Sequence, residues 1–281
     1  MTDERYSLCD ELLPKPELLP VNAGGVDAGL TLTKGALGVD GGVRLFVRAT
    51  DGAAPDVDGA TSLGLTGARA AQGSPGHTVV QEIEAAARGV RALLPHEDDA
   101  PFVLALIGTG TAFALVRGDA ASHLGGTALG GGSFTGIARR LYPELSYDEL
   151  VRGAAQGDRR NVDMMVSDAY PDGIGRIGPE LTAAHLAKPG GSHDDVLAAL
   201  LNMHGENIAQ IAASRALVAQ ARRVVLAGGF VHNNNALVTS LRTMIGRFGV
   251  DVELAPAAGF AGAIGAAMIA AERAASMEAG R

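Results

Sequence analysis

Three times along this chain a short apolar run ends in a glycine-rich turn: near residue 25, at Gly108-Thr109-Gly110 and at Gly228-Gly229. Apolar runs of this length closed by small residues read as buried strands. Glycine at the close permits a sharp turn or the near approach of another backbone. The unit recurs in both halves, with helical stretches after it. That grammar leaves an α/β architecture of two similar halves with a cleft between them, the halves sharing pattern rather than sequence.

The first strand candidate spans residues 21–26 and runs into Asp27-Ala28-Gly29. Residues 37–39 and 43–47 flank Asp40-Gly41-Gly42, a hairpin signal, and residues 62–65 form another short strand. Residues 78–94 place Val79, Ile83, Ala86, Val90 and Leu93 near one face of a helix. Residues 102–107 and 113–116 predict a second hairpin, followed by helices over 134–141 and 146–155. The second of these opens on Ser146-Tyr147-Asp148-Glu149, a capping box. A long helix over 196–220, a strand at 223–227, a helix at 236–248, a strand at 250–254 and a small-residue helix at 259–275 complete the chain. Ile208, Ile211 and Leu217 of the long helix read as core, with subunit contact as the alternative. The expected division is an extension over 1–20 with a short helix before Pro14, an N-terminal lobe over 21–124 and a C-terminal lobe over 125–281.

Composition removes several function classes. With 281 residues, 47% of them hydrophobic, the chain has a core and is not disordered. A net charge of −8 without a basic stripe argues against a nucleic-acid partner. The lone Cys9 rules out an intramolecular disulfide and a multi-cysteine metal site. No apolar run is long enough to span a membrane and the charged, proline-broken N-terminus is not signal-like, so the expectation is a cytoplasmic protein.

Phosphate chemistry survives these exclusions, because backbone amides, one lysine and a metal ion suffice to hold a phosphate. Gly25 to Lys34 offers a small-residue turn, a carboxylate at Asp27 that suits Mg²⁺, and Thr and Lys donors. Gly108-Thr109-Gly110-Thr111 presents amides and hydroxyls at a strand end, and residues 125–133 lead a glycine run into a helix N-terminus. Each turn alone also reads as a plain hairpin; jointly they favour a nucleotide site. Neither the Walker A pattern nor GxGxxG after the first strand is present, which argues against P-loop enzymes and dinucleotide dehydrogenases.

These motifs, with Leu65-Thr66-Gly67, Gly157-Asp158-Arg159, His232-Asn233-Asn234 and residues 260–266, resemble in order over residues 22–272 the type II pantothenate kinases. Residues 124–134 and 161–166 are the most family-specific stretches. The resemblance implies a two-lobed actin-like (ribonuclease H-like) fold, usually a homodimer, with a nucleotide cleft between the lobes. It implies transfer of the ATP γ-phosphoryl group, with Mg²⁺, to the primary hydroxyl of pantothenate, the first committed step towards coenzyme A, with an acyl-CoA as regulator. The nucleotide contacts it implies fall on Asp27, Gly29, Thr31, Lys34, Thr109, Gly131, Gly132, Ser133, Tyr147 and Gly229. The family's catalytic carboxylate, seven positions before a glycine, falls on Glu82, ahead of Gly89. Asp27 is then the metal partner, Lys34 the γ-phosphate partner and Glu82 the base, with Glu84 as a decoy two residues on.

Two positions depart from the family pattern. Leu30 follows Gly29 where the family has a second glycine, and His123 stands where the family carries an arginine that contacts substrate or acyl-CoA. These departures keep two rivals open: an actin-fold kinase for another small alcohol such as an amino sugar, and a non-catalytic nucleotide or acyl-CoA sensor. His77, His185, His193 and His204 read as structural.

Overall fold

A computed structural model describes residues 10–50, 56–73, 76–95, 100–175 and 177–280. Two sheets dominate. The first contains β1 (Asp10–Leu13), β2 (Ala23–Ala28), β3 (Leu32–Val39), β4 (Gly42–Ala49), β5 (Ser62–Thr66) and β6 (Thr78–Val79), in the order β1-β4-β3-β2-β5-β6. After α1 (Glu82–Leu93), the second sheet begins with β7 (Phe102–Ile107), β8 (Thr111–Arg117) and β9 (Ala120–Thr127). Helices α2 (Gly131–Leu141) and α3 (Tyr147–Gln156) follow, then a small hairpin of β10 (Met164–Met165) and β11 (Thr182–Ala184). The long α4 (His193–Val218) leads to β12 (Arg223–Ala227), α5 (Asn235–Gly246), β13 (Asp251–Leu254) and α6 (Ala261–Ala279). The second sheet is ordered β13-β12-β7-β8-β9, with β12 parallel to both neighbours and β7-β8-β9 an antiparallel meander.

Most expected elements form where their periodicity put them. The capping box of α3 is present: Ser146 N donates to Glu149 Oε2 at 2.8 Å, and the Glu149 amide returns to Ser146 Oγ at 3.4 Å. Three local readings change. Asp10–Leu13, directly before Pro14, form β1 rather than a helix, paired antiparallel with β4 and tied by Arg44 Nε donating to Asp10 Oδ1 at 2.8 Å; the rest of the expected extension, residues 1–9, lies outside the described residues. Four residues cannot offset the cost of nucleating a helix, whereas an open sheet edge supplies backbone partners at once. Thr78 and Val79 pair with β5 instead of opening the helix, consistent with their β-branching, so Glu82 becomes the first helical residue. The strand β9 was missed because Ala120–Thr127 shows no apolar alternation and is mostly exposed or half-buried.

The expected lobe boundary at 124/125 falls inside β9, at the edge of the second sheet; the sheets themselves divide the chain between Val79 and Phe102. The last helix returns across this division to lie on the first sheet: a Cβ on Gly25 of β2 or Gly64 of β5 would overlap α6 carbonyls. It crosses α1 where Gly89 and Gly265 meet, each so close to the partner backbone that a Cβ would overlap the carbonyl of Ala261 or Ala85. In α4, Ile208 is fully buried and Ile211 partly so, whereas Leu217 is 53% exposed.

The N-terminus of α4 anchors the Gly157-Asp158-Arg159 loop. Asp195 accepts from Asp158 N (2.7 Å), Ser192 N (2.9 Å) and Asn161 Nδ2 (3.1 Å). Those donors, the Ser192 and Asp158 amides first, lower its carboxyl from 3.8 to about 2. A depressed carboxylate contributes stability above its unfolded pKa and loses it as pH falls through the folded value. Asp195→Asn is therefore expected to lower Tm at pH 7, and the wild-type advantage to fade between about pH 4 and pH 2. Thermal melts across that range check it; an advantage that persists unchanged at pH 2 contradicts the assignment.

Candidate active site

The glycine turns meet between the two sheets. Gly29 N donates to Leu32 O at 3.2 Å, closing the β2–β3 turn. Across from it, Gly108 N donates to Gly110 O (2.8 Å), Gly131 N to Gly108 O (2.8 Å) and Gly132 N to Thr109 O (2.9 Å). The Phe230 amide, just past Gly228-Gly229, donates to Ile107 O at 3.0 Å. Turns from three separate parts of the chain are thus hydrogen-bonded into one platform. It has a consequence for α2: the amides of Gly131 and Gly132 brace the β7–β8 turn, so these glycines serve the cleft as a smooth wall.

The platform and the β2–β3 turn enclose a cleft of about 330 Å³. From the first sheet it takes Gly29, Thr31 and Lys34, and from the second half Thr109, Gly131, Gly132, Tyr147 and Gly229. Ser133 lies outside this lining. Its hydroxyl is 2.8 Å from His204 Nε2, and it accepts from Gly130 N at 3.0 Å. His204 is fully buried, and burial keeps its ring below the ordinary histidine pKa. With Nδ1 donating to Leu200 O at 2.8 Å, Nε2 is left to accept from Ser133. The pair joins α2 to α4.

Some lining residues escaped the sequence reading, Arg139 and Phe230 among them. Arg139 sits on the α2 face that also presents Gly132, Thr135 and Gly136, a helical spacing that was legible in the sequence. Phe230 directly follows Gly228-Gly229 and packs beside Gly131.

Lys34, which lines the cleft, has acidic groups near it. Lys34 Nζ lies 3.7 Å from Asp27 Oδ2, and the ammonium packs over Gly229. Glu82, at the start of α1, is exposed and outside the cleft lining, yet partly recessed among protein and near enough to Asp27 and Lys34 to feel their charges. That recess raises its carboxyl pKa above the ordinary value; the nearby Asp27 charge raises it further and Lys34 opposes both. Glu84 is also exposed, but two positions along a helix turn it to another face. Among the described residues no group of three or more His, Cys, Asp or Glu is arranged to hold a metal. Mg²⁺ in nucleotide sites takes one or two carboxylates together with phosphates and water, a demand that Asp27 meets from the protein side.

The departures can be placed. Leu30 is not among the non-glycine residues with positive φ, so a glycine is not required there, and its side chain is 66% exposed at the cleft. His123 lies on β9 opposite Ala114, exposed and outside the lining. Two residues on in the same strand, a Cβ on Gly125 would come within 3.6 Å of Arg215 Nη2, so α4 brings a guanidinium to that part of β9.

The Fumble family model matches residues 86–269. A type II pantothenate kinase of Oceanobacillus iheyensis is 34% identical over 194 residues, covering 66% of this chain and 72% of the relative. The chain belongs to the Fumble family. Among solved structures, the activator of the 2-hydroxyisocaproyl-CoA dehydratase from Clostridium difficile, with bound ADPNP, matches with a TM-score of 0.64. It is 17% identical and covers 92% of this chain and 97% of its own. The ROK hexokinase of Thermus thermophilus matches with a TM-score of 0.55 at 14% identity, over 90% of this chain and 99% of that one. Both show the fold, which is the actin-like ATPase fold expected from the sequence. The family match begins at residue 86, so it does not reach Asp27, Lys34 or Glu82. No helix among the described residues is long and apolar enough to cross a membrane.

Proposed function

We propose that this protein transfers the γ-phosphoryl group of ATP to the primary hydroxyl of pantothenate. The observation that carries the reading is Lys34, which lines a glycine-walled cleft and pairs with Asp27, with the carboxylate of Glu82 near enough to feel both charges, in a Fumble-family chain. Thr31, Thr109 and Tyr147 line the nucleotide's part of the cleft, and Lys34 supplies the cation nearest the transferred phosphate. Mg²⁺ on Asp27 and the phosphates would offset charge on the transferred group.

Glu82 takes the proton of the acceptor hydroxyl as its oxygen bonds to the γ-phosphorus; the bond from that phosphorus to the β,γ-bridging oxygen breaks and ADP leaves. Phosphoryl transfer depends mainly on positioning and charge stabilisation, which is what this arrangement offers. Its raised pKa makes Glu82 a stronger base than an ordinary exposed glutamate.

The test is ADP release from Mg-ATP with pantothenate, with N-acetylglucosamine, or with no acceptor. Release that depends on pantothenate, with phosphopantothenate as product, is the expected result. Release with the sugar alone identifies a different acceptor, and tight nucleotide binding without turnover identifies a sensor; either one ends the reading.

A further inference from the structure

Strands β3, β2 and β5 lie side by side, and their register puts Lys34, Asp27 and Thr66 in one row across them. Directly paired residues project from the same face of a sheet. Two positions back, Gly25 and Gly64 lie against α6 backbone, so the row stands on the α6 side of the sheet. A Cβ on Gly262, in the first turn of that helix, would be 3.5 Å from Asp27 Oδ2.

Thr66 is fully buried, and its hydroxyl has no hydrogen-bond partner. An unpaired buried hydroxyl is destabilising, and a valine of the same shape would avoid that cost. Next to it, Gly67 has φ +88° and folds against the carboxylate: a Cβ there would reach within 2.6 Å of Asp27 Oδ1. Thr66-Gly67 therefore flanks Asp27 on one side while Lys34 flanks it on the other. A nucleotide's phosphates compete for the Lys34 ammonium, and with Mg²⁺ held by one Asp27 oxygen the other is then left without a donor.

We propose that Thr66 is a positioning residue of the phosphoryl-transfer site, its hydroxyl donating to the Asp27 carboxylate when nucleotide phosphates draw Lys34 away. The proposal rests on the kinase reading above for its activity readout, but not for its binding readout. The spare donor costs stability in the structure described and is recovered in the nucleotide complex, which explains a buried threonine where valine would pack as well.

Thr66→Val and Thr66→Ser decide the matter, each measured by Tm with and without Mg-ATP and by kcat. In Thr66→Val, Tm without nucleotide is expected to stay or rise, the Mg-ATP-induced rise in Tm to shrink, and kcat to fall about 10- to 100-fold, as for groups that orient a ligand-binding side chain. Thr66→Ser is expected to restore most of both. A Thr66→Val enzyme that keeps its nucleotide-induced rise and its kcat overturns the proposal; so does a Thr66→Ser enzyme as impaired as Thr66→Val, which would assign the residue to packing. If wild type phosphorylates no acceptor, the kinase reading fails while the Mg-ATP shifts still decide on Thr66. If wild type shows no shift with Mg-ATP, both fail.

Discussion

Glu82→Gln is expected to cut kcat by about 10²- to 10⁴-fold, the usual range for a lost general base, while leaving Tm unchanged or raising it. The two effects have opposite signs for one reason. A carboxyl whose pKa is raised by its recess and by Asp27 holds its proton more tightly in the fold than in the unfolded chain. Its ionisation therefore costs stability once pH rises through the unfolded value, and a neutral amide removes that cost. The same shift moves the acid limb of the wild-type kcat/KM profile up from the ordinary glutamate value, with activity rising as Glu82 loses its proton. Kinetics on Glu82→Gln and Glu84→Gln, with melts on both, are the check. A Glu84→Gln variant as inactive as Glu82→Gln, or a Glu82→Gln variant that keeps wild-type kcat, removes Glu82 as the base.

The second large effect lies away from the chemistry. Gly265→Val is expected to cost more than about 4 kcal/mol, in the range reserved for severe overpacking, out of a total that seldom exceeds about 15 kcal/mol. Gly265 and Gly89 are where α6 and α1 cross, and even a methyl group at Gly265 overlaps the Ala85 carbonyl. Backbone on both sides leaves no flexible side chain to give way. Gly265→Ala should already cost about 1–3 kcal/mol, and its kcat should fall as well, because α1 carries Glu82 on its first turn. Urea melts give the first quantity. A Gly265→Ala midpoint equal to wild type would show that the crossing can open at no cost.

Local pattern was enough wherever a residue's role followed from its neighbours in the chain. The apolar runs closed by glycine became β7 and β12, and Ser146 and Glu149 formed their capping box. Of the ten positions that the family resemblance assigned to the nucleotide, eight line one cleft. Ser133 and Asp27 do not line it. The first is held inward by His204, seventy-one positions away, and the second pairs with Lys34. Nothing near residue 133 announces that histidine.

The alternation of strand, glycine turn and helix and the residue types that phosphate chemistry needs were legible in the chain alone, because each is carried by spacing over a few residues; the family rested on the ordered resemblance over residues 22–272. Tertiary structure alone decided that α6 returns from the end of the chain to the first sheet. It also aligned Lys34, Asp27 and Thr66 in one row and gave Glu82 its raised pKa. Those depend on strand register and on charges brought together from distant segments, and both are set by packing rather than by any local pattern.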